Sequence, residues 1–142
     1  MHVEGMDHVG VVVRDIGAAI GRYGALLGLV VDGRESFGGG LIEIAFLAPG
    51  PGVRPSVELL APTRPGSTAW DFLQERGEGI EHIAFRVADT DQALEHVRRK
   101  APDALRDTCA RPGAGGMDIA FLRPDALFGV LCEFVSARRE EG

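Results

Sequence analysis

Cysteine is scarce in this sequence: Cys109 and Cys132 are the only two among 142 residues. Two thiols cannot frame a small secreted disulfide scaffold, and their spacing matches no thiolate zinc motif. Aromatic residues make up only 6%, with one tryptophan. That argues against a groove walled by aromatics for sequestering flat ligands. Long apolar runs are missing as well. The longest, such as Ile44 to Ala48, fall far short of the roughly 20 residues a bilayer span needs, and no charged-then-apolar leader opens the chain. The 15 basic residues are outnumbered by 21 acidic ones, for a net charge of -6. The basic residues are scattered rather than clustered, which excludes a phosphate-backbone partner such as nucleic acid. A small molecule with a nucleotide-like tail would need only a local basic patch. These absences point to a cytoplasmic, reducing-compartment protein with no membrane partner.

What remains is an ordinary globular balance, 45% hydrophobic and 25% charged, in a length that suits one compact domain over 1–142. The strongest signal is internal repetition. Asp7-His8-Val9-Gly10-Val11-Val12-Val13 is echoed by Glu81-His82-Ile83-Ala84-Phe85-Arg86-Val87, a shift of 74 (82 − 8) that also carries Asp15 onto Asp89. Glu43-Ile44-Ala45-Phe46-Leu47 is echoed by Asp118-Ile119-Ala120-Phe121-Leu122, and Val57-Glu58-Leu59-Leu60 by Cys132-Glu133-Phe134-Val135, both shifted by 75 (118 − 43 and 133 − 58). Three echoes in one order indicate duplication.

Each half reads as β-α-β-β-β. Val9 to Val13 is a short β-branched strand. Asp15 caps a helix whose apolar residues Ile20, Tyr23, Leu26 and Leu27 recur at helical spacing, and Gly28 closes it. Strands follow at Leu29 to Ser36, Leu41 to Leu47 and Ser56 to Ala61. The second half predicts a strand at Ile80 to Val87 and a helix from Asp89 to about Lys100. Its other strands are expected near Ala104 to Thr108, Met117 to Leu122 and Val130 to Ser136. Ser67 to Arg76 is expected to be an extra helix. The modules are thus expected over 5–62 and 79–137, with a linker helix in 63–78, and the tail from Arg138 on as solvated charge.

Strand alternation places His8, Gly10 and Val12 on one face, and His82, Ala84 and Arg86 on its counterpart. The same reasoning assigns Glu43, Ala45 and Leu47, with Asp118 and Ala120, to a polar face lined with small residues, a cavity wall. Ile42, Ile44, Phe46, Ile83, Phe85, Val87, Ile119 and Phe121 are then expected to form core against the helices. A pseudo-twofold axis between the modules would bring His8 towards His82 and Glu58 towards Glu133. Two imidazoles and two carboxylates suit a divalent cation, and two carboxylates leave a dication near neutral.

The segments "DHVGVVVRD", "VELLAPT", "GEGIEHIAFRV" and "GVLCEF" resemble the methylmalonyl-CoA epimerases of the vicinal oxygen chelate superfamily. That resemblance runs over nearly the whole chain. It implies an α+β fold of two tandem βαβββ modules forming an open barrel-like mixed sheet around a metal cavity. It implies metal ligands at His8, Glu58, His82 and Glu133, holding cobalt, manganese, nickel, iron or zinc. It also implies a catalytic glutamate at Glu43 and an acyl-CoA substrate inverted at its alpha carbon through a metal-stabilised enolate. Glu133 is the family's candidate for the second proton-transfer group, and Asp118, the repeat partner of Glu43, is the candidate that symmetry suggests. The chain departs from the family's His-Pro-Lys run at Arg123-Pro124-Asp125 and has Glu81 where many relatives have histidine. A glyoxalase-type or other metal-enolate isomerase is the alternative within this scaffold. An iron-dependent dioxygenase is disfavoured by the extra carboxylate Glu58, and a small-molecule-binding resistance protein by the filled ligand positions. Exposed sheet edges favour a homodimer.

Overall fold

The computed structural model describes residues 1–139, and these divide into two compact units, His8–Glu81 and Met1–Asp7 with the chain from His82 onward. Strand β1 (Gly5–Val12) runs from the second unit into the first. The first unit continues with α1 (Ile16–Leu27), β2 (Val30–Phe37), β3 (Ile42–Ala48), β4 (Ser56–Pro62) and α2 (Thr68–Arg76). Its strands lie in the order β2-β3-β4-β1, with β1 parallel to β4 and the other pairs antiparallel. A parallel pair needs a long crossover, and here α1, β2 and β3 supply it.

Helix α1 begins where Asp15 accepts a hydrogen bond from the Ala18 N–H at 2.9 Å, and ends at Gly28, whose φ of 70° is the left-handed closing conformation. Its residues Ile16, Ala19, Ile20 and Tyr23 pack on Val13, Ala45, Leu47, Leu59 and Ala61. Helix α2 starts at Ser67, whose hydroxyl accepts from the Trp70 N–H.

The second unit repeats the plan with β5 (Gly79–Arg86), α3 (Thr90–Lys100), β6 (Arg111–Pro112), β7 (Met117–Phe121) and β8 (Cys132–Ala137), ordered β5-β8-β7-β6. Strands β5 and β8 are parallel. Ala93 and Leu94 of α3 are buried with Val87, Ala120, Leu122, Cys132 and Phe134. Arg86 reaches back to the Asp7 carboxylate at 2.7 Å.

One strand differs from expectation. Where 104–108 was expected to be extended, the chain makes a 3-10 turn at Pro102–Ala104, a single bridge from Leu105 to Leu122, and the two-residue strand β6. The edge of β7 is capped from this loop. The Phe121 carbonyl accepts from the N–H groups of Arg106 and Asp107, and the Asp107 carboxylate accepts from the Phe121 N–H at 2.8 Å. A side chain thereby satisfies a backbone donor that a strand would otherwise pair.

The basic residues at 138 and 139 are not merely solvated: Arg138 faces Asp118, and Arg139 pairs with Asp89. The remainder of the expected solvated tail, 140–142, lies outside the described residues. No helix among the described residues is long and apolar enough to cross a membrane.

Asp89 caps α3 by accepting from the Gln92 N–H at 2.9 Å. That bond, with the Arg139 guanidinium, holds its carboxyl below the usual aspartate range. Asp89→Ala should therefore cost about 1 kcal/mol of stability at neutral pH, the usual value of a helix cap. A depressed folded-state pKa contributes stability above the unfolded value and loses it as pH falls through the folded value. The gap between variant and wild type should accordingly shrink through the acid limb in urea unfolding followed from pH 7 to pH 2.

Candidate functional site

In the first unit, Gly10 lies opposite Glu58 across the β1–β4 pair, His8 lies opposite Ser56, and Phe46 lies opposite Glu58 across the β3–β4 pair. Cross-strand partners share a face, so His8, Ser56, Glu58 and Phe46 form one group, and glycine opposite Glu58 leaves it room. His8 Nε2 is 3.6 Å from Glu58 Oε1. The Phe46 ring meets the imidazole edge to face, with centroids 6.1 Å apart.

The second unit reproduces the group. Ala84 lies opposite Glu133, and so does Phe121. His82 Nε2 is 3.8 Å from Glu133 Oε1, and Phe121 meets His82 edge to face at 5.5 Å.

These four side chains belong to residues that are deeply buried: His8 and Glu58 are 4% exposed, His82 3% and Glu133 5%. Buried ionisable groups persist where they are paired or coordinate metal. In each pair the imidazole nitrogen and a carboxylate oxygen stand side by side, 3.6 and 3.8 Å apart. Ser56 gives the same indication from another direction. It is 3% exposed, and among the described residues its hydroxyl has no hydrogen-bond partner, so a ligand in that group would satisfy it. Each unit thus offers mixed nitrogen and oxygen ligands, His8 with Glu58 and His82 with Glu133, of the kind that suits an exchangeable divalent cation. The thiol of Cys132 is no part of this. It packs among the residues under α3, and burial, with the neighbouring Glu133 charge, pushes it up to about 11.

The face expected for β3 and β7 is reversed. Ala45 and Leu47 pack under α1, and Ala120 under α3. The expected core residues Phe46 and Phe121 instead meet His8 and His82, and Ile119 lies with Phe121, Ala84 and Val135. On β5 the expectation holds for Phe85 and Val87, which pack with α3. Polarity at the starts of β3 and β7 was the misleading cue, because a one-residue error in phase moves every side chain to the opposite face.

Glu43 and Asp118 are therefore placed on the helix-packed sides of their strands. Glu43 lies opposite Ala61 and accepts from the Ser36 hydroxyl at 3.1 Å. Asp118 lies opposite Ser136, faces Arg138 at 3.8 Å and accepts from the Arg139 N–H. The structure brings His8 together with Glu58, and His82 with Glu133; neither strand carboxylate joins these groups. Sequence reasoning missed Phe46, Phe121 and Ser56. The repeat itself pairs the two phenylalanines, but only the register across β3–β4 and β7–β8 shows which way they point.

The family model of the glyoxalase/bleomycin resistance protein/dioxygenase superfamily matches residues 7–121. The ethylmalonyl-CoA/methylmalonyl-CoA epimerase of Cereibacter sphaeroides is 29% identical over 129 residues, covering 90% of this chain and 94% of that protein. Among solved structures, the methylmalonyl-CoA epimerase of Mycobacterium tuberculosis superposes with a TM-score of 0.87 at 35% identity, covering 96% of this chain and 90% of that one. A variant of the Streptomyces coelicolor methylmalonyl-CoA epimerase in complex with 2-nitronate-propionyl-CoA gives a TM-score of 0.87 at 30% identity, covering 97% of this chain and 100% of that one. The α+β class with paired βαβββ modules is the fold these structures share with the chain.

Proposed function

Because this chain belongs to the glyoxalase/bleomycin resistance protein/dioxygenase superfamily, we propose that it is an isomerase that epimerises methylmalonyl-CoA or a close acyl-CoA. The observation that carries the reading is the duplicated buried pair, His8 with Glu58 and His82 with Glu133, each set against the edge of a phenylalanine. In this reading the four residues are the ligands of one divalent cation. Bound there, such a cation supplies Lewis acidity towards carbonyl oxygens without redox chemistry.

The residues must also move a proton. The alpha-carbon proton is far less acidic than a carboxylic acid, and each pKa unit of mismatch costs about 1.36 kcal/mol, so the base must be held close and dry. Glu43 is the first proton carrier on family correspondence alone, and the alternation of β3 is the observation that speaks against it. Glu133, on the face of His82 and 5% exposed, is held dry and is the candidate for the second. Asp118 is engaged by Arg138 and Arg139, and we leave it out of the chemistry. The expected homodimer and cytoplasmic location are carried with this proposal.

The test is deuterium incorporation from heavy water into (2R)- and (2S)-methylmalonyl-CoA. It compares cobalt-loaded protein, metal-stripped protein and the Glu43→Gln variant. Exchange with inversion that requires metal is expected. Loss of exchange in Glu43→Gln would establish that carboxylate as a proton carrier, and retention would leave the step to Glu133. Stoichiometric metal without exchange in the wild type would sink the epimerase reading and direct the search to another carbonyl compound.

A further inference from the structure

Two guanidinium groups converge on one ring beside the second His–Glu pair. The Arg106 guanidinium carbon lies 5.4 Å from the Phe121 ring centroid and that of Arg111 lies 5.6 Å from it. The same ring stands edge to face with the His82 imidazole at 5.5 Å. Attraction of a cation to a ring face is modest at exposed sites, and gathering like charges is unfavourable in itself. Something other than packing should reward this arrangement.

The compensation within the protein is incomplete. Asp107 Oδ2 stands 3.4 Å from Arg111 Nε while also accepting from the Phe121 N–H. Among the described residues, the ion pairs include none to Arg106. Its position is nevertheless fixed. The backbone N–H groups of Arg106 and Asp107 both donate to the Phe121 carbonyl, at 3.2 and 3.1 Å. The loop is thus clamped to the residue whose ring packs against His82. A chain with net charge -6 would repel a polyanionic thioester unless a cationic patch stood at the point of entry.

The geometry points to Arg106, supported by Arg111, as the residue that takes the anionic oxygens of the substrate beside the His82–Glu133 pair. This inference rests on the acyl-CoA reading above. The oxygens belong either to the phosphates of the coenzyme tail or to the free carboxylate of the acyl group. Both sources offer the negatively charged oxygen atoms that a planar guanidinium engages with two parallel hydrogen bonds.

Calorimetric titration of the metal-loaded protein separates the two sources. Propionyl-CoA keeps the phosphates and lacks the free carboxylate, whereas methylmalonyl-pantetheine keeps the carboxylate and lacks the phosphates. Arg106→Gln is expected to weaken one of these by roughly tenfold, the loss of one charge-assisted contact, with Arg106→Lys recovering only part of the affinity because an ammonium cannot reproduce the two parallel hydrogen bonds. A drop with propionyl-CoA assigns the phosphates, and a drop with methylmalonyl-pantetheine assigns the carboxylate. Arg22→Gln, an exposed change on α1, controls for overall charge, and metal stoichiometry controls for folding. Unchanged affinity for both ligands in Arg106→Gln, or an equal loss in Arg22→Gln, overturns the inference while the function stands. Failure of the wild type to bind either ligand overturns the acyl-CoA reading and this inference with it.

Discussion

Replacing His82 by alanine is expected to abolish stoichiometric uptake of cobalt or manganese and to lower any epimerase turnover by about two to three orders of magnitude, the range seen when a principal electrostatic group is removed from a site. The residue is 3% exposed and its Nε2 faces Glu133 at 3.8 Å, so nothing from solvent can replace it without rearrangement. Loss of the imidazole also leaves Glu133 buried with one neighbour fewer, which is costly for a charge. Two readouts separate loss of the cation from general damage. Metal content after equilibrium dialysis should fall below one equivalent, and the rise in Tm on adding metal, which any ligand selective for the folded state produces, should disappear. His8→Ala, the repeat counterpart, should behave alike. A His82→Ala protein that still binds one equivalent and still gains Tm would remove these ligands from the proposal.

The second large effect concerns stability. Leu47→Ala should destabilise the protein by about 2–5 kcal/mol, as for deletion of a buried leucine side chain, with metal uptake unchanged. Leu47 is 1% exposed and packs with Leu59, Ala61 and Val13 beneath α1. Phe46→Ala, one residue away, should act on the other side of the strand. It removes the ring that meets His8 and should weaken metal binding. Urea unfolding and metal titration of the two variants form one experiment. Were Leu47→Ala to lose metal while Phe46→Ala left it unaltered, the face assignment of β3 would be wrong.

That pair of variants also marks where reading the sequence stops. The duplication is visible without coordinates, since His8 and His82, Glu58 and Glu133, and Phe46 and Phe121 recur at nearly constant spacing. Helix starts are equally legible because a cap is a local event. Asp15, Ser67 and Asp89 each accept from a backbone N–H three residues on, and a sequence pattern of that length holds all the information required.

The phase of β3 and β7 is not local. Residues on both sides of each strand are apolar, so the strand's own alternation carries no label for inside and outside. Glu43 and Asp118 looked like such labels, yet each lies on the helix-packed side, held by Ser36 or by Arg138 and Arg139. Only the register that sets Phe46 opposite Glu58 and Phe121 opposite Glu133 decides which residues face the histidines. The segment 104–108 failed for a related reason. Whether β7 needs a strand at its edge depends on what else satisfies its backbone, and the Asp107 carboxylate does so from a loop.

By itself, then, the sequence determined the repeat, the helix caps and the family to which the chain belongs, because these depend on residue identity and short spacing. The tertiary structure alone decided which side of β3 and of β7 meets the histidines and how the edge of β7 is closed. Hydrogen-bond register couples residues far apart in the chain, and no single segment encodes it.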